Sequence, residues 1–523
     1  MIHSSILMRV EQSELISKYL KFLKLFFYFL YNSIKIMEEP RVMPSTLDYS
    51  SMLPLSIPAM AHRRKFFPVN GSTFRRQGNR QIRIEVAHPS ALLDPTHSYL
   101  EVRVENSGAQ TFGFDVGGTN CLFESVRIEQ GGRLLSYTQE NNRLHSAILS
   151  PVQMSSEGLA TGGNTELTKS FNNIGAASNV PRVVGAVGTD YDTATHNTDA
   201  LFPNANLFRM TCGITSGLFS QYKLIPLPLV DPKAPLTIVL DLALPDDVGV
   251  WNGAPGADDL TIVEVAYIGH CIEVGPDVIA QFKQIQMDMG GQLAISGQDY
   301  EYFSASLPNG STGQVQLDCP ARKRSLKSMF WCAQSNDFAN TAGPIVQSAA
   351  YNLSFCGNAN IESFQLAVGP MLYPPGQAVQ CWGQSTGAGA VGNDFRRGEC
   401  LMELAKAVGT LGMANPSGAL TCTSYGCDDV GLASGENGVG GATHVPTSGT
   451  KYGFSPFGIS LDGFTRDLAE SGVDTQTLAQ QTRLLLNWGT GTNSGAEDMV
   501  VHMWMLFDQH YYFNMDGSIT YSN

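Results

Sequence analysis

Short runs in which apolar and polar residues alternate, each cut off by Gly, Pro, Asn or Asp, recur from Gln81 to the C-terminus. A period of two puts every second side chain on one face of an extended chain, which predicts half-buried β-strands. In the first half the runs are QIRIEV (81–86), YLEVRVE (99–105), LFESVRIEQ (122–130), LFRMTCGI (207–214), LTIVLDLAL (236–244) and LTIVEVAYIGHCIEV (260–274). Residues 276–290 interrupt the pattern. It resumes with QLAISGQDYEYFSASL (292–307), GQVQLDC (313–319), LKSMFWCAQ (326–334), SFQLAV (363–368), FGISLDG (457–463), TRLLLNW (482–488) and VVHMWMLF (500–507).

No strand–helix–strand rhythm crosses either half, so a parallel α/β sheet is excluded in favour of an all-β fold. Tyr137 to Leu149 reads as a helix, and so does GECLMELAKAV (398–408), with apolar residues at three-to-four spacing. EQGGR (129–133) and the Asp516-Gly517 step inside YYFNMDGSITY (511–521) predict tight hairpins, because glycine supplies the positive φ such turns need. Two sets of about eight short strands, each within roughly 200 residues, predict two tandem eight-stranded jelly-roll β-sandwiches with long loops and a few short helices. The expected boundaries are an N-terminal extension (1–36), an extended basic arm (37–83), a first jelly roll (84–275), a linker (276–290) and a second jelly roll (291–523). The stretches 155–200 and 409–451 exceed ordinary loop lengths, which marks them as functional or partner-binding surfaces.

Composition narrows the function classes. Only 15% of the 523 residues are charged and 43% are hydrophobic, which excludes a disordered chain, a long coiled coil and a collagen-like repeat. The net charge of −14 argues against a protein whose whole surface grips nucleic acid. Positive charge is nevertheless concentrated: no acidic residue lies between Asp48 and Glu85, whereas Arg63, Arg64, Lys65, Arg75, Arg76, Arg80 and Arg83 do. Such a segment can lie on nucleic acid or on an acidic partner surface, or serve only as a solvated lead into the fold. The ten cysteines are scattered, mostly inside apolar runs, as expected of buried free thiols folded in a reducing cytoplasm or nucleus. Residues 15–36 alternate lysines with Leu and Phe, which fits a membrane-surface helix. The reading preferred for residues 1–36 is an over-extended frame, with translation starting at Met37 or Met43.

The order of several segments resembles the double jelly-roll major capsid proteins of the Polinton-like virus and virophage group, within the wider adenovirus-hexon-type lineage. The resemblance rests on YKLIPLPLVDPKAPLTIVLDLALPDD (222–247) followed by IVEVAYIGHCIEV (262–274) in the first half. In the second it rests on CPARKRSLKSMFWCAQSND (319–337), FGISLDGFTRDLAESGVDTQTLAQQTRLLLNW (457–488) and VVHMWMLFDQHYYFNMDGSITYS (500–522). It spans roughly residues 60–523 and leaves out the N-terminal segment and the long loops. It implies a homotrimer whose six jelly rolls mimic a hexagon and tile an icosahedral shell around a double-stranded DNA genome. Neighbouring capsomers and minor capsid and vertex (penton) proteins would be its partners and the virion its location. Arg63, Arg64, Lys65, Arg75, Arg76, Arg80 and Arg83 would then face the interior or a partner, in weak contact with the genome or an inner membrane. No cofactor, metal, catalytic residue or small-molecule substrate is implied.

Two other classes compete. FDVGGTN (114–120) and MDMGGQ (287–292) resemble the phosphate turns of sugar kinases, in which an Asp handles the metal. The flanks lack the α/β alternation that fold requires. A β-sandwich carbohydrate-binding or glycoside-processing protein is the remaining alternative, with Asp246-Asp247, Asp258-Asp259 and Asp428-Asp429 as its acidic loop pairs. No His-Glu-x-x-His helix occurs.

Overall fold

The computed structural model describes residues 59–106, 112–114, 117–153, 183–184, 208–251, 256, 258–308, 310–335, 353, 356–357, 361–383, 394–395, 397–409, 452–453, 456–462, 472–476, 481–492 and 498–522. Contacts divide the chain into Met1–Ile57 and Pro58–Asn523, and all described residues belong to the second unit. The N-terminal extension, Asp115, Cys422, Cys427, Asp428-Asp429 and nearly all of both long loops lie outside the described residues.

Eight principal strands build the first half: β1 (Ala59–Phe66), β2 (Gln81–Val86), β3 (Ala91–Asn106), β4 (Phe123–Gln130), β5 (Arg133–Gln139), β6 (Phe208–Cys212), β7 (Leu236–Leu242) and β8 (Leu260–Val274). They pair antiparallel in two sheets, ordered β1-β8-β3-β6 and β2-β7-β4-β5. Eight more follow: β9 (Gln292–Leu307), β10 (Thr312–Asp318), β11 (Leu326–Ser335), β12 (Ser363–Val368), β13 (Met371–Tyr373), β14 (Phe457–Ser460), β15 (Thr482–Thr492) and β16 (Met499–Asn514). Their pairings run β9-β16-β11-β14 and β10-β15-β12-β13. Adding eight to each label of the first half reproduces the second. Successive strands that alternate between two sheets, except at the central β4–β5 and β12–β13 hairpins, make a jelly roll, and the chain contains it twice.

Local chemistry sets the corners. Gly131 and Gly132 hold φ values of 56° and 81° between β4 and β5, as the hairpin requires. Gly517, with φ 81°, turns β16 into β17 (Ile519–Ser522). Inside each sandwich the alternating side chains meet. In the second roll Trp331 stacks on Phe457 with ring centroids 4.3 Å apart and meets Phe364 edge-on at 5.4 Å. Trp331 is wholly buried, so truncating it to Ala would cost about 3–5 kcal/mol.

Several boundaries differ from the sequence reading. The first roll starts at Ala59, not at residue 84: β1 pairs along β8 from Ala59↔Val274 to Phe66↔Tyr267, so this part of the expected basic arm is an edge strand. The interruption at 276–290 is a helix, α1 (Pro276–Asp288), opened by a proline at its first position, where a missing N–H costs nothing. Tyr137 ends in β5, and the helical run starts later, through Asn141–Arg143, a π-helical turn Leu144–Leu149 and Ser150–Gln153. The second expected helix is present as α2 (Arg397–Val408). Among the described residues no helix is long and apolar enough to cross a membrane.

Candidate functional site

The two rolls share their cores. Leu144, Ala147, Ile148, Leu149 and Val152, from the helical run of the first half, are buried in the apolar cluster of the second. Ile295, Tyr511, Phe513 and Ile519 of the second half are buried in the cluster of the first. Polar groups stitch the seam. Gln509 Nε2 donates to Leu135 O at 2.9 Å, and Trp504 Nε1 donates to Gln139 O at 3.3 Å. The Gln130 side chain accepts the Ile519 N–H and donates to Gly517 O at 2.7 Å, so one amide substitutes for a strand pairing at the terminal hairpin.

At the centre of the seam lies an ionic cluster. Arg143 Nε donates to Glu140 Oε2 at 2.8 Å, its NH1 donates to Gln334 Oε1 at 2.6 Å, and its NH2 sits 3.4 Å from Asp247 Oδ1. Gln334 passes the connection on by donating to Leu353 O at 2.7 Å. Burial raises the pKa of the Glu140 and Asp247 carboxyls, and the guanidinium opposes that rise. Glu140 holds φ 48°, the only described non-glycine residue at positive φ, a strained conformation that aims its carboxylate at Arg143. Nearby, Asp299 is buried between the rolls, accepting the Tyr300 N–H at 3.0 Å, and burial pushes it up to about 6. His502, stacked near Trp504 and bonded to the Tyr302 hydroxyl at 2.7 Å, is held well below its ordinary range by burial and by Arg143.

The seven basic residues singled out in the sequence do not converge. Arg63 and Lys65, on β1, both reach Glu101, at 3.5 and 2.8 Å. Arg76 and Arg80 share Glu124, at 2.7 and 3.5 Å, and Arg76 also donates to Leu242 O. Arg83 reaches Glu129 at 3.2 Å. These three carboxylates stand on β3 and β4, so the ion pairs of Arg63, Lys65 and Arg83 cross an intervening strand, and five cations share three anions, which leaves the segment net positive. Arg64 lies over the Phe66 ring at 5.4 Å, and Arg75 is exposed.

Three candidate binding sites arise in the structure. His62, His88 and Glu273 come together at the β1–β8 edge with ligand atoms within 4.8 Å of one another, a trio that sequence spacing does not reveal. The donor set does not suit a cation: His88 Nδ1 accepts the Ala91 N–H at 3.0 Å, so its proton sits on Nε2, the atom facing Glu273. The Gly-rich turn of FDVGGTN forms a five-residue 3₁₀ turn, Gly118–Leu122, that runs straight into β4 with no helix to cradle a phosphate. A cavity of about 900 Å³ opens along the seam, where His145, Thr215, Tyr222, Gln298 and Asp508 line it.

Solved structures share this fold. VP54 of PBCV-1, fitted into a reconstruction of the virophage Sputnik, superposes with a TM-score of 0.52 at 10% identity, covering 91% of this chain and 99% of that one. A chain of the PBCV-1 virus capsid gives 0.52 at 11% identity, with 91% and 99% covered. A chain of the Sputnik virophage gives 0.50 at 10% identity, with 92% of each covered. No protein-family model matches the sequence, and no curated protein matches it. At these identities the likeness establishes the fold, a double jelly roll.

Proposed function

We propose that this chain is a viral major capsid protein with a structural, non-enzymatic role. The observation that carries the reading is two complete jelly rolls fused through a shared core, matching chains of PBCV-1 and Sputnik over more than nine-tenths of this sequence. In this reading three copies close into a trimer whose six sandwiches approximate a hexagon, and these capsomers tile an icosahedral shell around double-stranded DNA. Three-fold closure needs a heterologous interface, one patch on a chain meeting a different patch on its neighbour. The low charge fraction, 15%, suits a chain with much of its surface buried between subunits. Neighbouring capsomers and minor and vertex proteins are its partners, and assembly in the host cytoplasm or nucleus ends in the virion.

The basic segment fits a modest role. Arg63, Lys65, Arg76, Arg80 and Arg83 share only Glu101, Glu124 and Glu129, so these five, with Arg64 and Arg75, together keep a net positive charge that can meet a genome, an inner membrane or a partner. Electron microscopy of the purified chain, alone and co-expressed with partner proteins, tests the capsid reading. Capsomers of hexagonal outline are expected; isolated single sandwich pairs in every sample would contradict it. The second reading, carbohydrate binding, draws on the seam cavity and the 85% exposed Tyr222 at its lining. Saturable binding on a glycan array that is lost on Tyr222→Ala would favour it.

A further inference from the structure

All eight cysteines among the described residues are buried thiols outside any disulfide, and two of them touch. Cys381 Sγ and Cys400 Sγ lie 3.6 Å apart, each with no exposed surface. Their backbones are held independently. Cys381 follows Val379–Gln380, which pairs with β12, and its N–H donates to Glu362 O at 2.8 Å. Cys400 stands in the first turn of α2, which is pinned at its other end by Leu404 and Ala407 packing onto Gly458 of β14. A further bond ties the two pieces: Gln380 N–H donates to Glu399 Oε1 at 3.2 Å. The sulfurs thus meet because a sheet edge and a helix are both fixed, and a disulfide would require them to approach by only roughly 1.5 Å.

We infer that Cys381 and Cys400 are a dithiol that closes to an intramolecular disulfide when the folded chain meets a soluble disulfide such as oxidised glutathione. One protein thiolate attacks a glutathione sulfur, forming a mixed disulfide and releasing one molecule of glutathione. The second thiolate attacks the protein sulfur of that mixed disulfide and releases the other. Two protein thiols are oxidised, one glutathione disulfide is reduced to two thiols, and the two protons end on glutathione. Burial raises the Cys381 thiol well above its ordinary range, so exchange awaits opening of the α2 edge and accelerates with pH. Once formed, the bond closes a loop between positions 19 apart and staples α2 to the β12 sheet. The bond stands on this geometry alone; its timing rests on the capsid reading, in which the chain leaves a reducing cell for an oxidising exterior.

Mass mapping of the full-length wild-type chain tests this. The protein is equilibrated in a series of reduced-to-oxidised glutathione buffers, quenched in acid, alkylated while unfolded and digested without reductant. A Cys381–Cys400 linked peptide, lighter by two hydrogens, is expected to grow with the oxidised fraction and to vanish with dithiothreitol. Cys319 and Cys332, buried thiols whose pKa values burial lifts to about 12, serve as internal controls and are expected to remain alkylated. Alkylation of Cys381 and Cys400 equal to that of the controls in the most oxidising buffer would overturn the inference. So would their pairing with other cysteines or stable capture as glutathione adducts. A linked peptide in the isolated chain that is absent from released particles would count against the timing alone.

Discussion

The carbonyl oxygen of Gly217, in the loop between β6 and β7, rests directly on the α-carbon of Gly297 in the middle of β9. A Cβ at Gly297 would overlap that oxygen, and one at Gly217 would come within 2.6 Å of the Tyr511 hydroxyl. Neither glycine is needed for an unusual φ; both are needed because backbone of one roll touches backbone of the other. Gly297→Ala should therefore push the rolls apart and destabilise the chain by about 2 kcal/mol or more, read as a shift in the chemical denaturation midpoint. Gly213→Ala is the control, since an added Cβ there meets nothing within 4 Å. Equal, small effects for the two variants would show that the seam is looser than the geometry implies.

The Arg143 cluster should behave as a buried ion pair does. Replacing Arg143 with Met leaves Glu140 and Asp247 without their cation and Gln334 without a donor. Because the two carboxylate side chains are about one-quarter exposed, the expected loss is about 2–4 kcal/mol, short of a fully enclosed pair. Combining Arg143→Met with Glu140→Gln and Asp247→Asn should recover part of it. A triple variant no more stable than the single one would place the loss in packing instead of charge.

Asp299 gives a pH signature. Its folded pKa, about 6, lies above the unfolded carboxyl value, so the folded state binds the extra proton and the associated stability is present in acid. That stability is lost as pH rises from about 4 through about 6, and above this window the ionised carboxylate costs the folded state about 3 kcal/mol. Asp299→Asn should raise stability at pH 7 and flatten this part of the profile. A variant less stable than wild type at pH 7, with the slope unchanged, would contradict the assignment.

His145 and His502 act in the opposite direction. Burial lowers His145 to about 4 and holds His502 well below its ordinary value, so both stay neutral when folded and take up a proton on unfolding. Their contribution is complete above about pH 6.5 and is lost as pH falls toward 4. His145→Gln removes one of these proton-uptake sites, so between about pH 6.5 and 4 its stability should fall less than that of the wild type. The denaturation midpoint measured at pH 7, 6, 5 and 4 checks the sign.

Much of the fold was legible because strands with one wet face announce themselves. β4 and the C-terminal half of β16 alternate, and the glycine pairs at 131–132 and 290–291 and the Asp516-Gly517 step fall at turns with positive φ. β1 was not legible. It is an edge strand on which only Phe66 is buried, so AMAHRRKF carries no alternation and reads as a charged arm. The seam was hidden for a different reason. Arg143, Asp247 and Gln334 are joined only by tertiary pairing, and Arg143 and Gln334 stand 191 positions apart, beyond any local pattern. The Cys381–Cys400 contact is equally silent in a sequence where cysteines look evenly scattered.

The central claim is that two fused jelly rolls make one block of a three-fold capsomer. Native mass spectrometry of the purified chain across a range of concentrations measures this directly. A dominant species of three chains that survives dilution is the predicted result. A monomer that persists at every concentration and in the presence of co-expressed partner proteins would contradict the account.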